Sequence, residues 1–588
     1  MAETESMREY DEFRLVMNPR ADGRPPWSIY VDECPPGVPA HVIGPAGDVA
    51  PTVTPNDLAM LRDANRWPNS VLLKEIGVRV WGSVMTGQVA SAFAQSRAAA
   101  CARGRSLRVT LVAKGAFDQP SANEIALCEL PLEVLYEQGA NAYVAVSNDT
   151  PVSRRPHARP DASPVAIHLP LRITVAVSTP NGFNFDADAE LDVIRQALDP
   201  LADRVRIDVC RPATRPRFRQ SIESGPHVVH FIGHGDFSLV GDEGTPVGYL
   251  GFVTDNGDLD PVDADQFAAF FTQSDVHLVV LTACRSAAAM PEQQPYPITA
   301  LDGVAQRLVS GIGPVSAVVA MQFDLEQPAA VAFSGEFYKN LLEPTCSLDD
   351  AVTLARQGMC QALPQGAAHR AWVTPTLHWR CRGSQVFEFL PPLAPEAQRE
   401  STEVDRMIGT YRSFIVGIDD EAPEDWPGYL KFCQKSLPPI EALLERRAEL
   451  ARRAVRAGWV LAKVGTRVEV PLRLHLDTTA PVSQLALTVA FPPERLQFVG
   501  VKGLASLADA TAEVDAAAGL VSLKLASPAP VAWLVGEAEV ARLVFDVASP
   551  DGRPSLAEVD LRSVLVTQGG ADSPSDDLDG AVLIDPLP

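Results

Sequence analysis

Between residues 166 and 392 short apolar runs alternate with stretches at helical spacing. The runs are Leu171–Val177, Val205–Val209, one around His230, one around Val279, and Val315–Ala320. Helical periodicity falls between most of them, near 187–200, 214–224, 262–273 and 297–310, and again near 326–342 and 348–362. A last strand is expected at Trp372–His378. Buried strands joined by helices predict a mostly parallel sheet covered on both faces. Gly248–Val253, followed by Asp255, Asn256 and Gly257, predicts a small inserted hairpin whose acidic residues, Asp255 and Asp258, serve the turn.

The pattern differs elsewhere. Residues 1–165 mix strands (Phe13–Met17, Ser28–Val31, Leu107–Val112) with a helical stretch over 68–103. The Pro/Arg/Ser-rich stretch from Thr150 to Pro164 reads as a surface linker. Residues 393–458 are polar and helical; Pro438 and Pro439 are expected to break them, with an amphipathic helix continuing from Ile440 to Val455. From 459 to 588 short β runs with turn signals predict a β-sandwich. The expected fold is therefore α/β over 166–392, preceded by an α/β part over 1–165, then a helical linker over 393–458 and an all-β domain over 459–588.

Composition narrows the function. The formal charge of −24 opposes a nucleic-acid or anionic-membrane surface. No window has the length and purity of a transmembrane helix, and the acidic opening Met1–Ser6 lacks the apolar core of a signal peptide. Nine scattered cysteines without a Cys-x-x-Cys pair read as reduced thiols in a cytosol. No metal or other cofactor is expected. Asp572, Asp576, Asp577 and Asp579 miss the spacing of a calcium loop and read as an acidic solvated loop.

Two of the apolar runs end in reactive side chains fifty positions apart, His234 and Cys284. At neighbouring strand ends they would pair a thiol nucleophile with an imidazole base, the minimum for a cysteine hydrolase. Gly233 and Gly235 flank His234 where the chain is expected to leave the sheet. The backbone N–H groups of Gly235 and Cys284 are the candidate oxyanion donors. His230, inside its strand, reads as a packed core histidine.

Residues from about 10 to 390 resemble the CHAT domain, a relative of caspases and separases. The stretches that carry the likeness are Glu129–Glu133, Val152–Pro156, Leu171–Pro180, His227–Gly235, Leu281–Ser286 and Ala317–Phe323. The family commonly has tryptophan where this chain has Leu132. The resemblance implies a caspase-like fold and peptide-bond hydrolysis of a protein substrate by a Cys/His dyad, with His234 and Cys284 in those roles. It also implies a bacterial stress, signalling or defence setting. By likeness to separases, Asp324 would hold a basic P1 side chain, with Glu326 beside it; Asp324 as a helix cap is the competing reading. Basic pairs at Arg446-Arg447 and Arg452-Arg453 are candidate self-cleavage points.

Residues 460–588 resemble a cohesin-type sandwich through Val464–Leu472, Val482–Phe491 and Leu496–Val501. That likeness implies a partner protein at this domain. The alternative to a peptidase is a non-catalytic caspase-like scaffold or binding module.

Overall fold

The computed structural model describes the chain outside residues 1–7, 19–27, 41–52, 63–69, 86, 114–129, 157–163, 184, 203, 241–244, 273, 284–299, 311–312, 344–345, 382–384, 391–394, 417–425, 452, 478–480, 504–506, 508, 516–518, 532–535, 549–554, 569–570 and 586–588. Two compact units form: Met1–Ala162 with Leu171–Val386, and Ser163–Pro170 with Phe387–Pro588.

The first unit opens with β1 (Tyr10–Asn18), β2 (Ser28–Glu33), α1 (Pro55–Arg62), α2 (Ser70–Val84), α3 (Gly87–Ala102) and β3 (Ser106–Ala113). A small hairpin of β4 (Tyr136–Glu137) and β5 (Ala142–Tyr143) precedes β6 (Val152–Arg155). The next strand, β7 (Val165–His168), belongs to the second unit. There follow β8 (Leu171–Val177), α4 (Ala187–Leu198), β9 (Val205–Cys210), α5 (Arg215–Glu223), β10 (Val228–Val240), β11 (Thr245–Val253), β12 (Leu259–Asp263) and α6 (Ala264–Ala269). The unit closes with β13 (Leu278–Ala283), α7 (Ala300–Ser310), β14 (Ala317–Met321), α8 (Gln327–Leu341), α9 (Leu348–Ala362) and β15 (Pro375–Trp379).

These strands form one mixed sheet in the order β12-β11-β10-β13-β14-β15-β6-β3-β1-β2, with β8 also paired to β10 and β9 beyond it. β9, β8, β10, β13 and β14 run parallel. β15 is antiparallel to β14, and β6, β3 and β1 run parallel with β15. After β8 the chain lays β9 on one side and β10 on the other, so the winding reverses between β8 and β10. Open α/β sheets bind ligands off the carboxyl ends of the strands at such a reversal.

Local chemistry sets the boundaries. The α4 helix starts where the Asp186 carboxylate accepts from the N–H groups of Asp188 and Ala189. The hydroxyls of Thr214 and Ser347 cap α5 and α9 in the same way. On one face of β10, His230 meets α4 and α8. On the other, Phe231 packs with Phe252 of β11 and Phe267 of α6, and Phe218 of α5 joins them. Helices therefore cover both faces, as the alternating pattern required.

Two readings change here. Thr150–Pro164 does not behave as a linker throughout: β6 is a buried strand. Its Arg154 is neutralised by Glu133, 2.7 Å away, which is fully buried. Nor does the chain leave the sheet at His234. β10 runs on to Val240, exchanging its parallel partners for antiparallel β11 from His234 onward.

In the second unit β7 lies parallel to β16 (Phe387–Leu390). Helices α10 (Pro395–Val416) and α11 (Trp426–Leu450) lead to β17 (Arg453–Ala457). Five strands, Leu496–Gly503, Gly536–Val547, Arg467–Leu476, β17 and Asp576–Leu578, make one sheet. A seven-stranded sheet includes Trp459–Lys463, Gly580–Asp585, Ser555–Gln568, Val482–Ala490, Leu520–Val531 and Asp509–Asp515. Leu472, Leu474 and Leu543 of the first sheet and Leu485, Leu523 and Ile584 of the second share one apolar core.

α11 passes through Pro438 and Pro439 rather than breaking. Cys433, Ile440 and Leu444 hold it against Trp459, Leu556 and Leu583, so burial outweighs the lost backbone hydrogen bonds. The helix ends at Leu450, and Val455 lies in β17. The acidic stretch also differs from a solvated loop. Asp576 is buried, 2.7 Å from Arg447 and 3.1 Å from His168. Burial pushes the Asp577 carboxyl up, reinforced by the charges of Asp579, Asp560, Glu388 and Asp576.

Candidate active site

The parallel pairings of β10, β13 and β14 end side by side. In their register Phe231 pairs with Leu281 and Leu281 with Ala320. The last parallel pair of β10 and β13 is Gly233 with Ala283. Each is followed in sequence by a predicted site residue, His234 and Cys284. Cys284 itself lies outside the described residues.

His234 is almost fully buried. It sits where β10 changes from parallel to antiparallel pairing, opposite Gly251 of β11. A side chain at Gly251 would place its Cβ 3.4 Å from the His234 Cβ and 2.7 Å from a Leu259 methyl, so the glycine leaves room for the imidazole. The ring of Phe183, in the segment between β8 and α4, lies 4.3 Å from the imidazole. Tyr249 approaches edge-on at 6.4 Å. Gly235 is opposite Leu250 within the antiparallel ladder.

The β8–α4 segment is itself anchored. The Ser178 hydroxyl donates to the Gly251 carbonyl at 2.6 Å. The Asn181 N–H donates to the Gly257 carbonyl at 2.7 Å, and its side-chain amide to the Asn256 carbonyl at 3.2 Å. Sequence reasoning did not single out Phe183, Ser178 or Asn181. Contacts between a loop and a hairpin leave no periodic trace.

Asp324 follows β14, half-buried, three positions past Met321. It is not the cap of α8; Glu326 holds that position, and its side chain makes no capping hydrogen bond. Glu326 lies 3.7 Å from His369 and from Arg370.

A second group also escaped sequence reasoning. Arg154 donates to both Glu133 carboxylate oxygens, at 2.9 and 2.7 Å, and to Gln322 at 3.0 Å. Gln322 donates in turn to Glu133 at 2.9 Å and to the Val373 carbonyl at 2.7 Å. Burial works to raise the Glu133 pKa, but Arg154 more than offsets it and holds the carboxyl below its ordinary value. The signal was present: the three residues come from three of the stretches that resemble the CHAT domain, Glu129–Glu133, Val152–Pro156 and Ala317–Phe323.

No group of side chains among the described residues could hold a metal ion. No described helix is long and apolar enough to cross a membrane. A cavity of about 610 Å³ lies elsewhere, lined by Tyr10, Arg14, Glu33, Arg105, Arg108 and Trp379 among others. Several of its charges pair with one another, Arg14 with Glu33 and Arg105 with Asp11, while Arg108 pairs with Asp349 outside the lining. His234 is not among its lining residues.

Fold and site together define an α/β protein with a buried histidine at the carboxyl ends of central parallel strands. Comparison with protein-family models gives the family: the model described as CHAT domain matches residues 120–431, more than half of the chain. The chain belongs to the CHAT domain family. No curated protein matches it.

Solved structures similar to part of the chain include a non-cellulosomal cohesin from the archaeon Archaeoglobus fulgidus. It is 15% identical, with 23% of this chain and 92% of that one covered and a TM-score of 0.20. Another is the seventh ScaB type I cohesin from Pseudobacteroides cellulosolvens, at 14% identity, 23% and 92% coverage and a TM-score of 0.20. CaCohA2 from Clostridium acetobutylicum is 13% identical, with 22% and 90% covered and a TM-score of 0.19.

Proposed function

We propose that the protein is a cysteine endopeptidase acting on a protein substrate, with Cys284 as nucleophile and His234 as base. The observation that carries this reading is the pairing of Gly233 with Ala283, the residues that precede the dyad in the chain, at the carboxyl ends of adjacent parallel strands. Membership of a family of generally caspase-like peptidases supports it.

In this mechanism His234 takes the Cys284 proton and the thiolate attacks the scissile carbonyl carbon. The Gly235 and Cys284 N–H groups stabilise the oxyanion. The carbon–nitrogen bond then breaks, and the imidazolium protonates the leaving amine. Water, deprotonated by His234, hydrolyses the thioester and regenerates the thiol. Asp324 selects a basic P1 residue by a charge-assisted hydrogen bond. The β-rich region acts as a cohesin-like module that recruits a partner protein. The setting is bacterial stress, signalling or defence, in the cytoplasm.

The test is labelling by a peptide electrophile that carries arginine at P1, with proteolysis followed in parallel. Wild type is expected to be labelled at Cys284, and Cys284→Ala and His234→Ala to lose proteolysis while staying folded. Undiminished cleavage of the same substrate by Cys284→Ala rejects the mechanism.

A further inference from the structure

Beneath the candidate site lies a polar cluster that the mechanism above does not use. It joins Glu190 of α4, His230 of β10, Thr282 of β13, and Ser334 and Tyr338 of α8. All five are buried, with His230, Thr282, Ser334 and Tyr338 at 0% exposure and Glu190 at 2%. His230 Nε2 lies 2.7 Å from the Thr282 hydroxyl and 3.2 Å from Glu190 Oε1. His230 Nδ1 lies 3.0 Å from the Tyr338 hydroxyl. The Ser334 hydroxyl donates to Glu190 at 2.7 Å.

One protonation pattern satisfies every member. Burial, together with the Glu190 charge, pushes the Tyr338 pKa up, so its hydroxyl keeps the proton and donates to Nδ1. Nε2–H then faces Thr282 and Glu190. The Thr282 hydroxyl donates to the Phe231 carbonyl at 3.5 Å. A fully connected buried network of this kind specifies one arrangement, whereas a partly connected one destabilises.

What it specifies is register. The facing parts of β10 and β13 are otherwise apolar or glycine: Val228, Val229, Phe231, Ile232 and Gly233 against Leu278, Val279, Val280, Leu281 and Ala283. A slip of two residues keeps every side chain on its own face, so apolar packing penalises it weakly. That slip displaces one strand along the other by about 6.6 Å. His230 and Thr282 are the only polar side chains in this paired segment. They precede His234 by four positions and Cys284 by two.

We propose that the Glu190–His230–Thr282–Ser334–Tyr338 cluster is a positioning network that locks the register of β10 against β13, and with it the reach between His234 and Cys284. This rests on the dyad reading given above. None of the five touches substrate; they act through the strands. The same volume could be filled by apolar residues without burying a carboxylate, which identifies the network with specificity of arrangement rather than bulk stability.

The experiment measures the rate at which iodoacetamide alkylates Cys284 in the full chain, resolved from the other cysteines by peptide mass spectrometry. Urea unfolding midpoints are recorded beside it. It needs no knowledge of the natural substrate. His234→Ala reports on the dyad itself and is expected to slow alkylation. Thr282→Val, nearly isosteric, is expected to slow it by about tenfold. Thr282→Ser, which restores the hydroxyl, is expected to recover it. If Thr282→Val does not fold, Tyr338→Phe removes a hydroxyl from the other side of the imidazole and carries the same expectation. Slow alkylation in His234→Ala with a wild-type rate in the folded network variant overturns the positioning role and leaves the dyad standing. A wild-type rate in His234→Ala overturns the dyad reading, and the network's catalytic role with it.

Discussion

The ring of Phe183 lies 4.3 Å from the imidazole of His234, tilted by 37°. The segment that leaves β8 thus turns back over the side chain at which β10 exchanges its parallel partners for β11. Gly257, at φ +85°, lets the tip of the hairpin approach Asn181 closely; a Cβ there would come within 2.9 Å of the Asn181 amide. The segment from Ser178 to Phe183 thus links the imidazole to the hairpin tip, through the Phe183 ring at one end and Asn181 at the other. Phe183→Leu is expected to lower stability by about 0.5–1.5 kcal/mol beyond lost area, the usual worth of an aromatic pair. It should also slow hydrolysis by freeing the imidazole. An unchanged urea midpoint would show that the ring contact contributes nothing.

Asp324 gives a specificity prediction. It follows β14, adjacent to β13 in the sheet, at the carboxyl ends. Asp324→Asn is expected to leave reaction with non-basic substrates intact and to weaken selection of arginine or lysine by about 1.5–3 kcal/mol, the worth of a hydrogen bond to a charged group. A peptide library varied at P1 reads this directly. A wild-type preference for aspartate or an apolar residue rejects the assignment of Asp324.

His277 makes stability fall in acid. Burial pushes its pKa down to about 4, and its Nδ1–H donates to the Pro314 carbonyl at 3.0 Å. The unfolded chain takes up a proton near the ordinary value of 6.5, which the folded protein refuses until about 4. The contribution of a neutral His277 is therefore whole above that window and lost as pH drops through it. Urea midpoints of wild type and His277→Gln at pH 7 and pH 4.5 should diverge, with wild type losing on the order of 2–3 kcal/mol more than the variant. Parallel pH profiles would refute the assignment.

Arg447 anchors the second unit. It is buried, 3.0 Å from Asp405 and 2.7 Å from Asp576. Arg447→Met strips a buried carboxylate of its main partner and is expected to cost about 3–5 kcal/mol. Arg447→Met combined with Asp576→Asn should recover part of that loss, and thermal unfolding of the full chain measures both. The same burial makes the Arg446-Arg447 pair a poor self-cleavage point, because a peptidase requires an extended, accessible segment.

The central strands were legible because apolar runs such as Leu171–Val177 are buried on both faces, which continuous hydrophobicity reports directly. Helix starts at Asp186, Thr214 and Ser347 carry capping side chains, a sign that the periodicity reading did not use. β6 was misread because Arg154 looks like surface chemistry until Glu133, distant in the chain, is seen to neutralise it. α11 was misread because packing of Ile440 and Leu444 overrides the local penalty of two prolines. The candidate site left a partial trace in the sequence. His234 ends an apolar run and stands out, whereas the Phe183 contact and the His230–Thr282 bond depend on register. The polar residues inside apolar strands, His230 and Thr282, were the available sign that something beyond packing lay there.

The excursion of Ser163–Pro170 into the second unit has a consequence for the order of assembly during synthesis. β7 leaves the ribosome early, but its partner β16 comes only after the whole of β8 to β15, and His168 waits for Asp576, 408 positions later. The parallel sheet from β8 onward can close while this short strand still has no mate. Closing so long a loop adds only a logarithmic entropy cost, so the delay is one of timing rather than of energy. The second unit thus becomes complete last, after the histidine-bearing sheet is already made.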